Sequence, residues 1–126
     1  MTLSAADVQK LEGVHADLVK VLEKAAEQDV IAFVVTEGVR TLKRQRDLFA
    51  HGATTTMRSR HLSGHAVDLA VLIGGEISWS WPLYAQLALV MKTAAAEVGV
   101  PIEWGGDWRT FKDGPHFQLP WGKYPG

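Results

Sequence analysis

Apolar residues recur at helical spacing near the N-terminus: Val8, Leu11, Val14, Leu18, Val21, Leu22 and Ala25. Steps of three and four put these positions on one face, which predicts a single amphipathic helix running to about Gln28. Ser4 and Asp7 supply its start, a short side chain to cap free N–H groups and an acid at the positive end. After the polar break at Gln28 and Asp29, residues 31–39 become rich in β-branched types and read as a strand. Residues 41–50 return to helical character, with Gly52 placed to end them. The polar stretch from Thr54 through Thr55 and Thr56 to Ser63 reads as a loop. A second strand spans residues 66–73 and stops at Gly74-Gly75. A third helix spans 83–98, with Pro82 near its start and Gly99 just past its end. Two short, glycine-punctuated segments, 102–104 and 116–119, are strand-sized. Helices and strands mix without regular βαβ alternation, so the pattern predicts an α+β fold.

The phase of each strand says which side chains share a face, because alternate residues point opposite ways. In the second strand Val67, Leu69 and Val71 point to the core, leaving Asp68 on the other face between Ala66 and Ala70. In the last strand Phe117 and Leu119 point inward, leaving His116 and Gln118 outward. In the first, Phe33, Val35 and Val39 share one face and Thr36 and Arg40 the other. One sheet could therefore gather Arg40, Asp68 and His116 on a single polar face. His61, seven residues before Asp68, has the spacing of a loop that turns into a strand.

Length and charge narrow the picture. A chain of 126 residues suits one domain, expected to span residues 1–126. With 13 basic and 14 acidic residues it lacks the basic excess of a nucleic-acid binder, and Lys43, Arg44 and Arg46 read as a solvated helix face. Cysteine is absent, which removes disulfides and thiolate metal sites. The N-terminus lacks the pattern of a signal peptide and the longest apolar stretch is too polar to span a bilayer, so synthesis in a cytoplasm without membrane insertion is expected.

Two imidazoles and a carboxylate make a known catalytic zinc set that leaves a position for water, whose pKa the metal lowers to about 7. His61, Asp68 and His116 are the candidates, with His65 a rival ligand. Asp113, in Asp113-Gly114-Pro115-His116, is placed to take a proton from that water, with Glu103 and Asp107 as rival acids. Structural readings stand beside these: Asp68 capping a turn, Asp113 starting an Asx turn. His15 reads as a boundary residue, and Trp79, Trp81, Trp104 and Trp108 as packing residues, with Trp108 a candidate for a cleft wall.

The run Ser59-Arg60-His61-Leu62-Ser63-Gly64-His65-Ala66-Val67-Asp68 resembles the Ser-x-His-x-x-Gly-x-Ala-x-Asp signature of the M15 family of zinc peptidoglycan peptidases. Trp104-Gly105-Gly106-Asp107-Trp108 and Phe111 to Phe117 resemble the second half of the same site, and Glu37 to Thr41 with Gln45 and Leu48 fit the pattern before it. The resemblance covers roughly residues 36–119. It implies a small antiparallel sheet with helices packed against it, like that of Hedgehog and D,D-peptidase domains. It also implies Zn2+ on His61, Asp68 and His116, Asp113 as catalytic acid/base, and Arg40 as a catalytic and substrate-binding group. Gln45 and Ser59 are implied as further substrate-binding groups. The dipeptidases and carboxypeptidases of the family carry Glu where this chain has Asp113. Asp there is similar to the phage endolysins and bacterial enzymes that cut between L-alanine and D-glutamate. The expectation is a monomeric L-alanyl-D-glutamate endopeptidase that acts on the peptidoglycan stem peptide once a holin or membrane lesion gives access to the wall. A D,D- or L,D-carboxypeptidase and an inert wall-binding module are the alternatives.

Overall fold

A computed structural model describes residues 2–54 and 58–125. The N-terminal apolar pattern forms two helices, α1 (Ala5–Lys10) and α2 (Ala16–Gln28), rather than the single one expected. Ser4 and Asp7 close a capping box, the Ser4 hydroxyl accepting from the Asp7 N–H and the Asp7 carboxylate from the Ser4 N–H. The other oxygen of Asp7 accepts the Val35 N–H at 2.9 Å, which pins α1 to the first strand. A straight helix could not keep that contact and still lay α2 on the core. The chain breaks at Gly13, whose φ of +82° is open to glycine at no steric cost, and restarts where the His15 ring caps α2 through the Asp17 N–H. Val8 is consequently 58% exposed, not part of the buried face.

The strands are β1 (Phe33–Glu37), β2 (Ala66–Ile73), β3 (Glu76–Ser78), β4 (Glu103–Trp104) and β5 (His116–Gln118). All pairings are antiparallel, in the order β1-β2-β5-β4, and β3 pairs with the far end of β2. β2 has the predicted boundaries. Gly74-Gly75, read above only as a stop, is the tight turn of a β2–β3 hairpin. Helix α3 (Leu42–Ala50) begins at Thr41, whose hydroxyl accepts the Arg44 N–H. Helix α4 (Trp81–Val98) has Pro82 in its first turn and Gly99 as its left-handed cap. The expected loop up to Ser63 contains a 3-10 turn, Arg60–Ser63, capped by Ser59; Thr55, Thr56 and Met57 lie outside the described residues.

Phe33, Val35, Val67, Leu69, Val71, Phe117 and Leu119 form one buried cluster with Leu18, Val21 and Leu22 of α2 and Tyr84, Leu87 and Met91 of α4. Burial of each large side chain contributes about 1.5–3 kcal/mol before entropy is counted. The alternation expected for β1 fails at its end. A bulge shifts the register from Val35↔Leu69 to Glu37↔Asp68, leaving Val39 46% exposed and turning Arg40 inward.

Candidate active site

The site lies on the sheet face opposite α2 and α4. Strand register does much of the assembly, since Asp68 and His116 are directly paired across β2 and β5. His61 arrives from the 3-10 turn, held by Ser59 Oγ, which accepts its N–H at 3.1 Å, and by its own carbonyl, which accepts the Arg40 N–H at 2.9 Å. His61 Nε2 stands 3.2 Å and His116 Nδ1 3.3 Å from Asp68 Oδ1. Donor atoms bound to one zinc at about 2.0–2.1 Å in tetrahedral geometry are themselves separated by about 3.3 Å.

Hydrogen bonding of the far ring nitrogens makes the same point chemically. His61 Nδ1 lies 2.9 Å from the Gly38 carbonyl, and His116 Nε2 lies 2.7 Å from Gln118 Oε1. Both partners accept, so both far nitrogens carry hydrogen, and in neutral rings the near nitrogens turn lone pairs toward the Asp68 carboxylate. Three acceptors gathered within 4.8 Å require positive charge between them, as protons or as a cation. The residues present therefore fit a divalent metal ion. The protonated alternative leaves its mark on the titrations. Burial opposes charge on His116, but the bond to Asp68 and its negative charge outweigh that and raise the His116 pKa. Burial likewise pushes the Asp68 carboxyl up, and the bonds and charges of His116 and His61 overcome it, holding Asp68 well below the usual carboxylate range.

Asp113 responds in the opposite sense. Burial raises its pKa, the nearby Asp68 charge raises it further, and His116, His61 and Arg40 offset this only in part. Two carboxylates pushed apart in this way are suited to different tasks, one permanently charged and one able to exchange a proton. The Asp113 backbone N–H donates to the Gly105 carbonyl at 3.0 Å, and a Cβ on Gly105 would come 2.3 Å from the Asp113 carbonyl oxygen. That close approach explains the first glycine after Trp104. The Trp104 indole N–H donates to the Gly114 carbonyl at 2.7 Å, fixing the turn from Asp113 to His116.

Arg40 is clamped by Glu37 in a two-pronged pair, Nε to Oε1 at 2.8 Å and Nη2 to Oε2 at 2.9 Å, and reaches to 3.6 Å from Asp68 Oδ2. Gln45 accepts from Arg40 Nη1 at 2.7 Å and is 0% exposed, so it meets the site through Arg40 rather than by direct contact. Ser59, Arg40, Asp113 and the three candidate ligands all line one open cavity of about 710 Å³, together with Trp108, Phe111 and Trp121. The Trp108 ring is 5.1 Å from that of His116, matching the cleft-wall expectation, and Trp104 is buried. Trp79 and Trp81 meet the packing expectation only in part: Trp79, 63% exposed, stacks on Tyr84, and Trp81, 47% exposed, packs against Trp104.

Two of the three rivals fall elsewhere. His65 bonds Ser63 and lies beside His15, and Asp107 pairs with Lys92 at the surface. Glu103 lines the cavity but is engaged by Gln118. Sequence reasoning missed three supporting residues. Glu37 and Gln118 are seen above, and Arg60 donates to the Leu119 and Tyr124 carbonyls, latching the C-terminal segment to the His61 turn. For Gln118 a signal existed, its two-residue spacing from His116 on one strand face.

A sequence profile of phage L-alanyl-D-glutamate peptidases matches residues 1–119. The chain belongs to that family. It is 32% identical over 121 residues to the L-alanyl-D-glutamate peptidase of Listeria phage A118, covering 96% of this chain and 42% of that protein. The chain thus spans less than half the length of that relative. Among solved structures it is similar to the Serratia marcescens L-Ala D-Glu endopeptidase ChiX, with TM-score 0.94, 46% identity and coverage of 100% and 95% of the two chains. The vancomycin resistance D,D-dipeptidase VanXYg shares the fold at TM-score 0.55 and 19% identity, over 84% of this chain and 50% of that one. The fold expected from the resemblance is therefore the one observed.

Proposed function

We propose that the protein is a zinc-dependent endopeptidase that hydrolyses the L-alanyl-D-glutamate bond of peptidoglycan stem peptides, with residues 1–126 acting as one catalytic unit. The observation that carries this reading is the convergence of His61 Nε2, His116 Nδ1 and Asp68 Oδ1 in the cavity that also holds Asp113. The peptidase names of the Listeria phage and Serratia relatives support the choice of bond. His61, Asp68 and His116 would hold the ion, which when bound polarises a substrate carbonyl and makes water a nucleophile near neutral pH.

The remaining work belongs to the chain's own groups. Asp113, its pKa raised by burial and by Asp68, accepts a proton from the attacking water and returns it to the departing D-glutamate amine. Arg40, held rigid by Glu37 and Gln45, offers N–H donors to the oxygen on which negative charge develops. Gln45 supports Arg40, Ser59 orders the His61 turn at the cavity edge, and Trp108 flanks His116 as a wall. The enzyme acts as a monomer on the wall and reaches it through a membrane permeabilised by another agent such as a holin. No helix among the described residues is long and apolar enough to cross a membrane.

Digestion of purified Gram-negative peptidoglycan, with and without a chelator, tests this reading by mass spectrometry. Chelator-sensitive release of peptides with a new D-glutamate N-terminus is the expected result. Loss of terminal D-alanine alone would assign a carboxypeptidase. No cleavage by folded, zinc-loaded protein would leave a wall-binding module.

A further inference from the structure

His61 and His116 are oriented by different kinds of partner. The far nitrogen of His61 meets a backbone carbonyl, which cannot change its polarity. That of His116 meets Gln118, whose amide could in principle present either its oxygen or its NH2. What decides between them is Glu103. Register places Gln118 between Glu103 on β4 and Ala66 on β2, and the Gln118 NH2 donates to Glu103 Oε1 at 3.0 Å. An ionised carboxylate accepts only, so the NH2 must face Glu103 and Oε1 must face His116. Gln118 itself is more than nine-tenths buried, so its two protein partners dominate the choice of end.

We infer that Gln118, oriented by Glu103, is the positioning residue that determines which nitrogen of His116 binds the metal. The polarity runs one way along the chain of bonds: Glu103 accepts from Gln118, Gln118 accepts from His116 Nε2–H, and His116 Nδ1 is left with its lone pair beside Asp68. The acceptor on Nε2–H also makes Nδ1 a stronger donor to a cation and holds the ring against rotation. Loss of such an outer partner generally costs 10–100-fold in metal affinity. Glu103, a rival catalytic acid on sequence grounds, has this as its task. The inference rests on the reading of His61, Asp68 and His116 as metal ligands.

Zinc affinity of the full chain, measured by competition with a chromophoric chelator, tests it alongside thermal unfolding of the metal-free protein. Gln118→Leu removes the acceptor and should weaken zinc binding about 10–100-fold. Its metal-free unfolding temperature should fall modestly, since the buried His116 Nε2–H loses its acceptor. Gln118→Glu keeps an acceptor and should restore binding close to wild type, although its facing carboxylates lower the unfolding temperature. Glu103→Gln, an exposed isosteric change, lets the Gln118 amide turn over, and its affinity should fall between wild type and Gln118→Leu. Both variants thus lose stability but only Gln118→Glu regains affinity, which a merely structural Gln118 would not produce. Gln118→Leu binding zinc as tightly as wild type, or affinity tracking stability, overturns the inference while leaving the metal site intact. Failure of wild type itself to bind zinc overturns both.

Discussion

The two faces of β2 are built from neighbouring residues and obey opposite rules. Val67, Leu69 and Val71 are sealed against α2 and α4, where like packs with like and every added contact is favourable. Asp68, one step out of phase, faces two imidazoles, an arginine and a second carboxylate, a grouping whose acceptors repel unless a proton or cation joins them. The first face generates stability and the second spends some of it on a fixed array of charges. The difference teaches that pre-organisation here is borrowed: Asp68 is held in place because the strand that carries it is locked from behind.

That contrast can be broken from either side. The largest effect is expected for His61→Ala, which should weaken zinc binding by more than the ~10–100-fold typical of losing an outer-sphere partner and abolish hydrolysis. Unfolding of the metal-free variant should stay cooperative, and metal content after dialysis with an unfolding curve checks both points. Stoichiometric zinc at normal affinity would remove His61 from the ligand set. Leu69→Ala attacks the other face and should cost about 2–5 kcal/mol of stability, read from denaturant unfolding. The zinc affinity of its folded fraction should remain that of wild type, and a parallel fall would show that the faces are not separable. Glu37→Gln sharpens the comparison within the polar face. It loosens the clamp on Arg40 and should lower kcat/KM by up to about 10²-fold, as misplaced catalytic groups do, without changing zinc affinity.

The smallest effect is a pH dependence in the metal-free protein. The folded-state pKa of Asp113 is raised, so its contribution to stability is fully present below the unfolded value and lost as pH rises through the folded one. Asp113→Asn removes that loss. The variant should be more stable than metal-free wild type at neutral pH, with the gain shrinking as pH falls toward the ordinary aspartate range. A gain that grew on acidification would contradict the direction assigned to Asp113.

The sealed face was the more legible one. Period-two alternation located β2 residue for residue, helical character over 41–50 located α3, and Pro82 with Gly99 located α4. Periodicity did not reveal the break at Gly13, because Leu11, Val14 and Leu18 keep helical spacing across it. The bulge after Val35 was hidden for a related reason: an extra residue changes phase without changing composition, so Val39 looked buried. β3 was too short to register beside the Gly-Gly turn that makes it. On the polar face, residue types and the family resemblance brought forward His61, Asp68, His116, Asp113 and Arg40. Their supports depended on contacts across the fold. Glu37 reaches Arg40 across the irregular end of β1, and Glu103 meets Gln118 only through β4–β5 pairing.

The central claim is that a His-Asp-His metal centre and a separate carboxylate, Asp113, divide the chemistry between them. Zinc content and turnover of a defined stem peptide, measured together on Asp113→Asn, test that division most directly. The account predicts one zinc per chain, an intact fold and turnover reduced about 10²–10⁴-fold, the usual worth of a general acid–base group. Turnover near wild type would give the proton transfer to another group, and loss of zinc would make Asp113 part of the metal site itself.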